Sequence, residues 1–228
     1  MIPRAAHIPE TLDKAGANRR YSRAERISDA VVHLAALVLA IAAVPVLITL
    51  TGLWQGGLPG TIGVAVYGVT LIAMLTASLL YNHLPKPDWT DLLRRLDHSA
   101  IYLKIAGTYT PLALLSGRGL PILGFVWGVA ILATVGNFLV RHRATWVSIL
   151  ICLGMGWAVV LGGRDLLSVL STPVMVLMVV GGLLYSFGSA FLLASRLKFH
   201  NTIWHGFVVA ASSLFFVAIF LQAAATPA

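Results

Sequence analysis

The stretch RRLDHSAIYLKIAGTYTP, residues 94–111, holds the side chains best placed to do chemistry. Two arginines lead into Asp97 and His98, Lys104 follows two turns further on, and Pro111 breaks the run. A charged side chain at the centre of a membrane helix costs roughly 2.5–3.5 kcal/mol on insertion scales, so such groups face a bundle interior or water and mark functional sites by default. Asp97 and Lys104 are seven residues apart, which is about 20° around a helix of 3.6 residues per turn. Side chains on a helix lean toward its N-terminus. The spacing therefore predicts a Lys104 ammonium that points back at Asp97 and pairs with it, directly or through water. The plainer alternative is an interfacial Asp97 and a Lys104 that snorkels along apolar surface.

Other polar residues fall at the same end of the apolar runs. These are Asp29 and His33, then Ser78, Asn82 and His83, then Asn137, then His200, Asn201 and His205. Six of the seven histidines, all but His7, lie there, and His142 in RHR reads as an interfacial residue. Ser78 and Asn82 are four apart, as are Asn201 and His205, so each pair shares a helix face. The phases predict a polar cavity bordered by Asp29, His33, Asn82, His98, Lys104 and Asn201. Within it, Ser78, Asp97 and His205 are the catalytic candidates. Asp97 and His205 would move protons, and Ser78 would orient water or substrate.

These residues need a scaffold, and composition says which kind. The chain has 228 residues, 58% hydrophobic and 11% charged, with a mean hydropathy of +0.88. That is a polytopic membrane protein rather than a soluble domain. Seven apolar runs, at about 27–50, 61–83, 96–115, 120–140, 144–162, 173–195 and 202–224, each approach the roughly 20 residues that span a bilayer. The segments between them are short and rich in Gly, Pro or charge, which makes them turns. The expected architecture is an all-α bundle of seven transmembrane helices. A basic N-terminal segment, 1–26, precedes one membrane domain, 27–228. Thirteen Lys and Arg fall on one side of the spans against two, Arg118 and Arg164, on the other. The positive-inside rule then puts the N-terminus in the cytoplasm and the C-terminus outside. The net charge of +8 is spread between spans and suits anionic headgroups, not nucleic acid. Cys152 is alone and cannot form an intrachain disulfide. Gly154, Gly156, Gly181, Gly182 and Gly188 are expected to let helices pack closely. Trp54, Trp89, Trp146 and Trp204 are expected to anchor at the interfaces. Thr108 and Thr110 are expected to satisfy backbone freed by Pro111.

The segments SLLYNHLP, RRLDHSAIYLKIAGTYTP and HNTIWHGFVVAASSLFF resemble the hemolysin III family, which is related to the adiponectin and progestin receptors and more loosely to the alkaline ceramidases. The resemblance runs from ERISDAVVH to the last span. It implies a seven-helix, N-inside bundle with a site near the cytoplasmic face.

 In relatives, the resemblance implies, a zinc ion is held by a histidine ending helix 2 and by two histidines, four apart, on helix 7. A serine on helix 2 and an aspartate on helix 3 lie beside it, and the implied chemistry is hydrolysis of a lipid amide by zinc-activated water.

Here the serine maps to Ser78, the aspartate to Asp97 and the last histidine to His205, but two ligand positions carry Asn82 and Asn201. Asn is a poor zinc ligand. A zinc site would have to recruit His83 and His200 beside His205, although a one-residue shift turns a side chain by about 100°. The departure argues against a full zinc site. Three functions follow: a membrane hydrolase acting on a lipid amide or ester, a non-catalytic protein that binds or senses lipid in the same cavity, and a cytolytic pore or ion pathway. The polar layer occupies one end of the spans only, which argues against an open pore. No phosphate loop, dinucleotide fingerprint, cysteine metal motif or GxSxG elbow is present. The expected partners are membrane lipid and a lipid-like substrate or ligand, and the expected location is a bacterial cytoplasmic membrane.

Overall fold

The computed structural model describes residues 21–84, 87–140 and 145–225, all of them helix or connecting turn. The long helices are α1 (Arg23–Gln55), α2 (Leu58–His83), α3 (Thr90–Ser116), α4 (Leu120–Leu139), α5 (Thr145–Gly162), α6 (Thr172–Leu193) and α7 (His200–Ala225). A 3₁₀ turn, Pro87–Trp89, precedes α3, and a single turn, Arg164–Leu167, follows α5. Six of the seven long helices are long and apolar enough to cross a membrane; α3 is the exception. The protein is thus an all-α, polytopic membrane protein. Large apolar side chains such as Val38, Leu39, Leu132, Leu139 and Leu161 are exposed, as lipid-facing positions require. Helices suit this solvent because every backbone polar group inside them is paired within the segment.

Local signals set the helix ends. Ser22 and Glu25 close a reciprocal capping box on α1, so that helix starts at Arg23 and takes in the last residues of the basic N-terminal segment. Gly56, at φ 55°, ends it in the left-handed region, and Pro59 lies in the first turn of α2. The connection is so short that α1 and α2 must run antiparallel. The Arg95 guanidinium donates to the Phe138 carbonyl at 2.7 Å, satisfying one of the orphan acceptors at the end of α4. Lys86, Arg141, His142, Arg143 and the basic residues before Tyr21 lie outside the described residues.

The core is built around α3, which buries fifteen residues against nine for α7 and eight for α1. That position explains its low apolarity: a helix screened from lipid by its neighbours can carry Asp97 and Lys104. It also runs through Pro111 to Ser116 without ending. A Cβ on Gly63 would sit 2.9 Å from the Pro111 Cα, so α2 lies directly against this point. Pro111 frees the carbonyl of Gly107, four residues back. Thr108 and Thr110 instead donate to the Lys104 and Ala106 carbonyls, at 2.8 and 2.9 Å, so the expected rescue is not made. The glycines also divide. Added Cβ atoms on Gly181 and Gly188 would meet Phe215 and Phe207 of α7 at 2.8 and 2.6 Å, whereas Gly154 and Gly156 have open space beside them. Among the tryptophans, Trp89 and Trp146 are exposed, Trp54 packs on Phe220 and Trp204 lines the cavity described next.

Candidate active site

Asp29 is the hub of the polar end. It lies on the buried face of α1, one turn before His33, so both side chains point into the bundle. His205, from the second turn of α7, places Nδ1 2.6 Å from Asp29 Oδ1. His83, the last residue of α2, places Nε2 3.1 Å from Asp29 Oδ2. His33 Nδ1 is 2.9 Å from the Asp29 carbonyl, and its Nε2 is 3.1 Å from Ser78 Oγ. A carbonyl only accepts, so His33 carries its proton on Nδ1 and accepts the Ser78 hydroxyl proton at Nε2. The His33 and His205 rings lie 4.0 Å apart, centroid to centroid. Three helices thus contribute to one buried network.

Ser78 links this network to Asp97. Its hydroxyl bonds His33, and it stands beside the Asp97 carboxyl. Asn82 donates to the Ser78 carbonyl at 2.9 Å and lies 3.5 Å from its hydroxyl. Asp97 is buried, and its Oδ1 has no hydrogen-bond partner among the described residues. A cavity of about 680 Å³ opens at this point. His33, Ser78, Asn82, Asp97, His98 and His205 line its polar end. On α3 the lining continues through Ile101, Lys104, Ile105, Thr108, Tyr109 and Leu112, so that from Asp97 to Leu112 it forms a stripe along one helix face about 22 Å long at 1.5 Å per residue. Most of the remaining wall is apolar, with Met74, Leu75, Val159, Met175, Met178 and Val208 among it.

The Haemolysin-III related family profile matches residues 22–216 of this chain. The chain belongs to the haemolysin III family. It is 32% identical over 206 residues to a protein named Hemolysin-3 homolog from Bacillus subtilis (strain 168), covering 89% of this chain and 96% of that one. It is 33% identical over 198 residues to Hemolysin-3 from Bacillus cereus, covering 86% and 90%. No solved structure matches it.

Against the ligand positions expected for this haemolysin III chain, the structure makes a different selection. Asn82 turns back on Ser78 of its own helix, and Asn201 lies on the cavity wall. His200 lies 3.0 Å from the Tyr21 hydroxyl and does not join His205. His83 does reach the centre, as a partner of Asp29. Asp29, His33 and His205 offer a carboxylate oxygen and two imidazole nitrogens that all lie within 4.8 Å of one another, and all three residues are buried. One carboxylate with two imidazoles is a donor set that catalytic zinc uses, so these residues fit an ion of that kind. Sequence reasoning put Asp29 and His33 on the cavity wall and overlooked them as ligands; their i,i+4 spacing on α1 was the available signal.

Lys104 corrects the direct form of a second expectation. Its ammonium is 2.6 Å from the Tyr185 hydroxyl and makes no ion pair with Asp97. Tyr185 comes from α6, a helix whose phase relative to α3 nothing in the local sequence specifies.

Proposed function

We propose that this haemolysin III protein is a membrane-embedded hydrolase of a lipid amide or ester. One observation carries the reading: the Asp29–His33–His205 network and the unpartnered Asp97 oxygen meet at the polar end of a long, mostly apolar cavity. A hydrocarbon chain suits the apolar stretch, and its polar bond would then lie beside Ser78 and Asp97. Asp97 has an acceptor aimed at no protein donor and is placed to take a proton from an attacking water. Ser78 holds water or substrate while His33 fixes its hydroxyl. His205, oriented by Asp29, is placed to return a proton to the leaving group. With an ion bound instead, Asp29, His33 and His205 would act as its ligands rather than in those roles, and the ion would supply Lewis-acid polarisation of the carbonyl.

The Asn82 and Asn201 substitutions favour a second reading, a non-catalytic lipid-binding protein that uses the same cavity. Cytolysis, which the relatives' names suggest, is less well supported: a pore needs polar lining at every depth, and the far part of this cavity is walled by groups such as Leu112, Val159 and Met175.

Purified protein assayed against long-chain amides and esters, with metal content measured on the same sample, tests the choice. Hydrolysis that falls at least tenfold in Asp97→Asn, with metal lost in His205→Ala, is expected; the tenfold loss corresponds to about 1.4 kcal/mol of barrier. No hydrolysis of either substrate class by the unmodified protein would end the hydrolase reading, and full activity in Asp97→Asn would remove Asp97 as its base. The orientation we propose has seven crossings, a cytoplasmic N-terminus and an outward C-terminus in the cytoplasmic membrane. A reporter fused after Ala228 should be active outside; a cytoplasmic signal would overturn that topology.

A further inference from the structure

Lys104 is a buried cation that no acid answers among the described residues. It is 2% exposed, and among the described residues no carboxylate lies within 4.0 Å of Nζ. Its side-chain hydrogen bond among the described residues goes to Tyr185 Oη at 2.6 Å. Tyr185 Oη in turn lies 2.7 Å from Ser212 Oγ. The Tyr185 and Phe215 rings flank the ammonium, with centroids 4.6 and 5.3 Å from Nζ. An ammonium has three donors and no acceptor, so Nζ donates to Tyr185 and keeps two N–H groups for other partners. Hydroxyl dipoles and ring faces offset part of the cost of burying the charge; a full counter-charge is missing.

Both Lys104 and Tyr185 line the cavity. The missing charge can therefore arrive with a ligand. Lys104 is seven residues along α3 from Asp97, and Ser212 is seven along α7 from His205, so both helices put this site about 10 Å deeper than the Asp29 network at 1.5 Å per residue. At the outer end Asp29 is already compensated by histidines, and the Asp97 carboxyl on the cavity wall disfavours an anion there, which leaves Lys104 as the better-matched partner for one. Most of the surrounding wall is apolar.

We propose that Lys104 and Tyr185, the latter held by Ser212, form a binding site for the carboxylate or phosphate of a single-chain anionic amphiphile, whose hydrocarbon chain occupies the apolar part of the cavity. This rests on reading the cavity as a lipid-chain site, and it does not require hydrolysis.

The test uses the full chain, treated with a chelator, in a neutral detergent. A long-chain fatty acid, the alcohol of the same length and the corresponding monoalkyl phosphate compete against a fluorescent fatty acid. The expected result is an anion that binds at least tenfold tighter than the alcohol, about the worth of one charge-assisted hydrogen bond. Lys104→Met should bring the anion down to the alcohol's affinity and leave the alcohol unchanged, and Lys104→Arg should retain the preference. Tyr185→Phe, which keeps the charge and the ring, should weaken the preference and carries the test if Lys104→Met does not fold. The better of acid and phosphate identifies the anion. Equal binding of anion and alcohol by the unmodified protein, or a preference that survives Lys104→Met, overturns the proposal while leaving the lipid-chain cavity in place. Binding of none of the three overturns both.

Discussion

The cavity has two polar regions, and they balance charge in opposite ways. At the outer end Asp29 is surrounded: His205 and His83 each take one carboxylate oxygen, and His33 closes on its carbonyl. At the deep end Lys104 has one hydroxyl and two ring faces. An acid ringed by imidazoles is internally compensated and rigid, and removing one member leaves the rest exposed to the full cost of burial. A lysine held by dipoles alone is only partly compensated and has capacity left for a ligand.

The largest effect should come from the outer region. Asp29→Asn removes the charge on which three histidines converge, and breaking a buried charged network of this kind typically costs about 3–5 kcal/mol. Thermal unfolding in detergent checks this; a change in Tm no larger than that of an exposed substitution such as Val38→Ala would show that the network is not cohesive. At the deep end the coupling should be smaller. A double-mutant cycle on Lys104→Met and Tyr185→Phe should give an interaction energy of about 0.5–3 kcal/mol, the range for groups in direct contact. A cycle on Lys104→Met and Asp97→Asn should give the least, additive within about 0.5 kcal/mol. Strong non-additivity in that last cycle would join the two regions into one charge system and dissolve the contrast between them.

The two regions were also unequally legible. At the outer end the helical phase of α1, α2 and α7 put Asp29, His33, Ser78 and His205 at one level and facing inward, because i,i+4 spacing fixes which side chains share a face. It did not show that Asp29 would be the hub, or that His83 would reach it while His200 turned to Tyr21. Those choices depend on where the ends of α2 and α7 fall relative to α1. At the deep end the same phase argument misled. Asp97 and Lys104 do share a face of α3, yet Lys104 finds Tyr185 on α6, 81 positions away in sequence. Sharing a face brings two groups near one another and says nothing of a better partner across the cavity.

What the amino-acid sequence determined by itself was the solvent, the helices and the family. Long apolar runs can satisfy their backbone only as helices in lipid, caps and glycines end them locally, and the motifs on helices 2, 3 and 7 name the relatives. Tertiary structure alone decided which helix is central and which side chains meet. The unusual composition of α3 makes sense only once its neighbours shield it from lipid. Gly188 is a packing contact and Gly156 a cavity wall, although the two read alike along the chain. The reason is physical: periodicity is set within one helix at a cost paid residue by residue, whereas contacts between helices depend on the packing of the whole bundle, which no single segment encodes.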